Sequence, residues 1–306
     1  MRSLIYLLSL FNCLHAVRDP FKFQVYWNVP SGACSGVKPE EYNIVTNDDR
    51  KFNGNKLVIF YNLGLIPYCN ENQITGVNSE QSECDDPVNG GVPQAANLHE
   101  HFVKMEKDIN AVIPNETVFL LTTLEKAKQL RPNAKWGFWE YPLCDSSAGY
   151  GLEMHCSVSY RDANKQLKWL YEASDVLLPK IYLYNYQSEV PNRRFHIHAA
   201  ISEALDLKAY HQLSNLPVYA YAKIEYDVLW NDTEKAVEDL FYTKADTCNS
   251  LKYPFELGVD GVIIWGTSFK MAYRCSLMQD YLNQIFGPMA AIVVDEALRK
   301  MFTCKV

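Results

Sequence analysis

Six short apolar runs decide what this chain can fold into: Phe23 to Val29, Lys56 to Asn62, Lys135 to Tyr141, Val176 to Tyr184, Leu216 to Tyr226 and Gly261 to Gly266. They are largely continuous in apolar residues rather than alternating, the pattern of strands covered on both faces. Between them lie stretches with helical periodicity. The clearest is Ala95 to Val112, where Leu98, Phe102, Met105, Ile109 and Val112 form one stripe. Others cover Thr117 to Leu130, Ala163 to Ala173, Arg193 to Tyr210, Thr233 to Cys248 and Met271 to Ile285. Strand and helix in alternation predict an α/β fold with a parallel sheet and right-handed crossovers, closed or doubly wound. Asn28-Val29-Pro30-Ser31-Gly32 after the first run lacks GxGxxG spacing, which puts a β/α barrel ahead of a nucleotide-binding open sheet. One place breaks the rhythm. Ala95 to Val112 and Thr117 to Leu130 follow each other with no strand between, where a regular barrel has one.

The chain has 306 residues and no low-complexity segment, internal repeat or Pro/Ser-rich linker, so one large domain is expected. A net charge of −7 argues against nucleic acid or an anionic membrane as the main partner. It leaves room for an acidic polysaccharide held in a local basic groove. Residues 1–16 read as a secretory signal: Arg2, an apolar stretch from Leu4 to Leu14, and cleavage after Ala16. No later stretch is apolar enough to span a bilayer. The expectation is a secreted protein whose residues 17–306 form the barrel.

Export makes the cysteines interpretable. Without Cys13, eight remain (Cys34, Cys69, Cys84, Cys144, Cys156, Cys248, Cys275 and Cys304), an even set that suggests disulfides of open connectivity. There is no CxxC pair or HExxH helix, and His196 and His198, two apart in a helix-like segment, point away from each other. Neither a metal nor another cofactor is expected. Two sequons, at Asn115 and Asn231, fit glycosylated surface positions.

Four apolar runs end on tryptophan or tyrosine: Phe23 to Trp27, Trp136 to Tyr141, Ile181 to Tyr184 and Val262 to Trp265. Aromatics at the exits of barrel strands floor a cleft at the carboxyl face, where barrel enzymes hold their ligands. A flat ring with a polar edge suits a sugar, apolar on its faces and hydroxylated round its rim. Core packing is the competing explanation for each ring, and it weighs more heavily on Tyr141 and Tyr226 than on Trp265 and Tyr182.

Taken together, the strand exits resemble those of the animal tissue and venom hyaluronidases, glycoside hydrolase family 56. The likeness begins at Phe23-Gln24-Val25-Tyr26-Trp27-Asn28-Val29-Pro30 and continues through Asn89-Gly90-Gly91-Val92-Pro93-Gln94. It includes the stretch from Ala127 to Gly137, then Leu178-Pro179-Lys180-Ile181-Tyr182 and Leu216-Pro217-Val218-Tyr219, and closes on Gly261-Val262-Ile263-Ile264-Trp265-Gly266. The resemblance implies a distorted TIM-like barrel that hydrolyses β-1,4 bonds after N-acetylhexosamine in hyaluronan or chondroitin. It also implies a substrate-assisted mechanism. A glutamic acid protonates the leaving oxygen, the substrate's acetamido carbonyl attacks the anomeric carbon, and an aspartate and a tyrosine orient the acetamido group.

Both family acids belong to an Asp-Phe-Glu motif at the end of the third strand, and this chain has no such motif. Ile113-Pro114-Asn115 runs almost directly into Glu116-Thr117-Val118-Phe119, so roughly two βα units, about 60 residues, are missing relative to the family. The family's catalytic-site tyrosine corresponds to Trp139, and an expected arginine before Glu203-Ala204 to Ala200. What the resemblance carries over is a substrate-binding set of Tyr182, Trp265, Tyr226 and Tyr141, with Trp139 at the changed position. Glu225, sharing strand parity with Asp227, is a weak substitute acid, whereas alternation beside Trp139 and Tyr141 turns Glu140 toward the helices. The family's disulfides match Cys34 with Cys275 and Cys144 with Cys156. Cys69 with Cys84 follows from proximity alone, and Cys248 and Cys304 stay unassigned. Three readings result: a family member with little or no activity, a non-catalytic glycosaminoglycan-binding protein, or a form of an active enzyme with an exon skipped in splicing or in gene prediction.

Overall fold

The computed structural model describes residues 23–51, 54, 56–57, 68–69, 87–88, 124–125, 127–129, 131–145, 147–184, 190–226, 241–267, 271–302 and 304. The expected secretory signal, both sequons, Cys84, the segment with the expected helical stripe and the junction at 114–117 lie outside them.

Strands β1 (Gln24–Asn28), β2 (Val45–Thr46), β5 (Tyr219–Lys223) and β6 (Gly261–Trp265) form a parallel sheet in the order β2-β1-β6-β5. A separate antiparallel pair joins β3 (Tyr68–Cys69) to β4 (Pro87–Val88). Beyond β5 the sheet continues through single parallel bridges, Leu177 to Val218, Lys180 to Tyr221 and Trp139 to Leu178. Pro179 has no N–H to donate, which keeps this part of the sheet from forming a regular ladder. The sheet is thus α/β and barrel-like in order, and it does not close among the described residues.

The two faces of the sheet differ. Val25, Trp27, Ala220, Ala222, Val262 and Ile264 are buried against the helices. Tyr221, Ile263, Leu178 and Tyr182 form a second, inner cluster with Tyr26, Tyr219 and Trp265 packed on it. Gly261 leaves the space this needs, since a Cβ there would stand 2.8 Å from the Tyr219 ring and 2.5 Å from the Gln24 carbonyl oxygen.

The helices are α1 (Val158–Gln166), α2 (Lys168–Ala173), α3 (Val190–Tyr210), α4 (Lys244–Leu257), α5 (Met271–Tyr281), α6 (Gly287–Val294) and α7 (Glu296–Met301). A π-helical stretch, Leu282–Phe286, joins α5 to α6 and seats Phe286 5.5 Å from Trp27. The expected helix over Thr233 to Cys248 is corrected. Phe241 to Thr243 are non-helical, and α4 begins only after Thr243, whose hydroxyl accepts from the Asp246 amide, and ends at Gly258 in the left-handed region. The apolar periodicity hid this cap. Thr243→Ala should cost about 1 kcal/mol in chemical unfolding; an unchanged midpoint would deny the cap any weight.

Among the described residues, three disulfides brace this frame. Cys34 bonds Cys275, tying the loop after β1 to α5 across a sequence separation of 241. Cys144 bonds Cys156, and Cys248 on α4 bonds Cys304 beyond α7. In the chain-entropy view a loop the size of 144–156 contributes about 3 kcal/mol by restricting the unfolded state. No helix among the described residues is long and apolar enough to cross a membrane.

Candidate functional site

Strand register builds the site. Asn28, Trp265 and Lys223 are paired across β1, β6 and β5, so they form one row at the carboxyl end of the sheet. Tyr26, Ile263 and Tyr221 form the row below. Alternation then points the upper row to the same inner face as the lower one. Asn28 confirms the direction, because its Nδ2 reaches the Tyr221 hydroxyl at 3.5 Å.

On this row stands a strip of three rings. Tyr182 stacks on Trp265 with centroids 6.0 Å apart and an interplanar angle of 18°. Trp139 adds a third ring beside Tyr182, at 5.9 Å and a 42° tilt. Tyr182 is buried, Trp265 partly exposed and Trp139 45% exposed, so the strip opens toward its Trp139 end. Lys223 Nζ lies over three rings, 5.1 Å from Tyr182, 5.7 Å from Tyr184 and 6.0 Å from Trp265. A buried ammonium is tolerated there because the negative faces of the rings attract it. The strip presents apolar ring faces, which suits the face of a sugar ring, while Lys223 and Asn28 beside it are buried.

The structure brings Trp139, Tyr182 and Trp265 together and sets the other two expected rings apart. Tyr226 is buried in the helix-side core, where its hydroxyl donates to Asp246 and accepts from the Thr243 amide at 3.0 Å. Arg193 crosses the Tyr226 ring at 4.5 Å and donates to Asp246 at 2.7 Å. Tyr141 is half-buried against the same core, its ring edge-on to Phe138.

Glu225 is buried and ion-paired with Arg274 on α5, which also donates to the Thr267 carbonyl. Burial pushes the Glu225 carboxyl up from its ordinary range, and Arg274 opposes that shift. Such a carboxyl is a structural partner of α5 with no solvent-facing lone pair to offer. Among the described residues, no three His, Cys, Asp or Glu side chains converge as a metal site would need.

Glu140 requires a correction. Strict alternation turns it toward the helices, but its backbone is left-handed, with φ of 73°. The Glu140 amide donates to the Leu178 carbonyl at 3.0 Å, and the Leu178 amide donates to the Tyr141 carbonyl at 3.0 Å. This irregular pairing places Glu140 in an ion pair with Lys180, whose Nζ also lies 5.6 Å from the centre of the Trp139 ring. The pair therefore belongs to the aromatic end of the site. Sequence reasoning overlooked Lys180 and Lys223. A lysine of inner parity inside an otherwise apolar strand (Tyr-Ala-Tyr-Ala-Lys) was the available signal for the second.

Comparison with known proteins agrees with this geometry. The hyaluronidase family profile matches residues 15–121 and 115–304. A chondroitin hydrolase of Caenorhabditis elegans is 29% identical over 336 aligned residues, covering 88% of this chain and 70% of that protein. Inactive hyaluronidase B of Vespula vulgaris is 25% identical over 88% of this chain and 93% of its own length. The crystal structure of bee venom hyaluronidase in complex with a hyaluronic acid tetramer superposes with a TM-score of 0.72 at 25% identity, over 89% of this chain and 99% of that one. With a parallel β/α sheet, an aromatic strip at its carboxyl end and a match that runs from residue 15 to residue 304, this chain belongs to the hyaluronidase family, glycoside hydrolase family 56.

Proposed function

We propose that this protein is a secreted member of the hyaluronidase family, residues 17–306 forming its barrel, that binds a glycosaminoglycan such as hyaluronan or chondroitin and hydrolyses it little or not at all. The observation that carries the reading is the strip Trp139–Tyr182–Trp265, an aromatic surface that fits the face of a sugar ring. The chemical half is missing from the sequence. No Asp-Phe-Glu motif is present, and Glu225, the acid nearest to a substitute, is committed to Arg274. Trp139 stands where the resemblance implies a tyrosine, so that hydroxyl is lost as well. Tyr226 and Tyr141 are the weaker members of the binding set, for they pack in the helix-side core.

Substrate classes named for the relatives support a glycosaminoglycan here, chondroitin for the nematode protein and hyaluronic acid for the bee complex. The wasp relative is itself named inactive, which supports a family that includes non-cleaving members. Equilibrium binding of hyaluronan oligosaccharides to the wild type and to Trp265→Ala tests the cleft. Loss of a stacking ring should weaken binding about ten-fold, and an unchanged affinity would remove the strip from the site.

A second reading is favoured by one specific observation, the split of the family match into two stretches that meet at 115–121. In that reading the chain is a form of an active hyaluronidase with an exon skipped in splicing or in gene prediction. Sequencing the transcript across Pro114 to Thr117 separates the two. An intervening segment encoding Asp-Phe-Glu would establish the active enzyme, and a continuous transcript would support the non-cleaving protein.

A further inference from the structure

We propose that Glu140 is a built-in carboxylate that occupies the ammonium group of Lys180 at the Trp139 end of the cleft, so that this end accepts an uncharged sugar face and turns away a uronate. The inference rests on the cleft reading above and adds to it a charge selectivity located in two residues.

Glu140 holds a left-handed backbone that a residue with a Cβ adopts only under strain. That conformation brings the carboxylate and the exposed Trp139 ring to the same side of the segment. The two hydrogen bonds to Leu178 fix the distortion in place. Lys180 reaches the spot from the neighbouring segment, with inner parity shared with Tyr182, and its head lies both on the Glu140 carboxylate and over the Trp139 ring. Both side chains are partly exposed, 17% for Lys180 and 26% for Glu140, so a bound glycan would meet the pair directly.

The consequence is electrostatic. A uronate arriving at Trp139 finds the local cation already compensated and a like charge beside it. It must displace Glu140 from Lys180 or remain unpaired, and either outcome discriminates against it. A neutral hexosamine stacks on the ring without that cost. Selectivity here comes from repulsion as much as from contact.

The test measures binding of a hyaluronan hexasaccharide and of a neutral N-acetylglucosamine hexamer to wild type, Glu140→Gln, Glu140→Gly, Lys180→Met and Trp265→Ala. Glycine accepts the left-handed backbone without strain, so the second Glu140 variant keeps the fold if glutamine disturbs it. Both Glu140 variants should bind hyaluronan about five-fold tighter at low salt, the gain shrinking as salt is raised, with the neutral hexamer unchanged. Lys180→Met should weaken hyaluronan by a similar factor. Glu140 variants that bind hyaluronan no tighter than wild type, or that tighten both ligands equally, overturn the proposal. If Trp265→Ala loses binding while the Glu140 variants match wild type, only this proposal falls. Indifference to Trp265→Ala removes the cleft reading, and this inference with it.

Discussion

Arg274→Met should destabilise the protein by about 3–5 kcal/mol, measured by chemical unfolding with the disulfides intact. Glu225 is 1% and Arg274 3% exposed, so removing the guanidinium leaves a carboxylate buried with no counter-charge. The double variant Arg274→Met with Glu225→Leu should recover most of the loss, because an apolar pair of similar volume avoids both desolvation costs. The sign of the pH dependence follows from the direction of the Glu225 shift. Its folded pKa is raised above the unfolded value by burial. Between the two values the folded state binds more protons, so stability falls as pH rises through that window and is regained on acidification. Removal of Arg274 lifts the folded value further. The single variant should therefore lose less at pH 5 than at pH 8. A deficit independent of pH, or a double variant as unstable as the single, would show that Glu225 does not depend on Arg274.

The apolar runs and their alternation with helices made the parallel β/α order legible, and β1, β5 and β6 fall inside three of the expected strands. Other features depended on groups that periodicity does not register. Thr243 stopped α4 from beginning earlier through a hydrogen bond to a backbone amide. Pro179 turned an expected strand into isolated bridges by withholding one donor. The pairing of Cys248 with Cys304 needed the return of the chain past α7 to the side of α4, which no local pattern encodes. The inner-face direction of Tyr182 and Trp265 was legible because both lie at strand exits. Glu140 was misread because one left-handed residue overrides strand parity, and a glutamate gives no sequence signal for that conformation. Glu225 had the inner parity expected of an acid at the mouth, but Arg274, 49 residues away, determines what that acid can do.

The largest expected effect concerns catalysis. Protonation of a leaving sugar oxygen by a positioned acid contributes about 10²–10⁴-fold in rate, and the acetamido group also needs an orienting acid and a tyrosine to attack productively. No Asp-Phe-Glu triplet occurs in the sequence, the proposal places Trp139 at the position of the tyrosine, and Glu225 is ion-paired with Arg274. Glu140 is not a replacement either. Its carboxylate is already engaged in an ion pair with Lys180. Binding and turnover should consequently separate, with oligosaccharide affinity dependent on Trp265 and hydrolysis near the uncatalysed level.

The decisive measurement is release of reducing ends from hyaluronan and chondroitin by the purified protein, at saturating polymer, beside an active hyaluronidase with an intact Asp-Phe-Glu motif. The account predicts a rate at least about 10²-fold below that enzyme, unchanged in Glu225→Gln and in Glu140→Gln. Turnover within ten-fold of the active enzyme, or a measurable rate that either substitution abolishes, would contradict it.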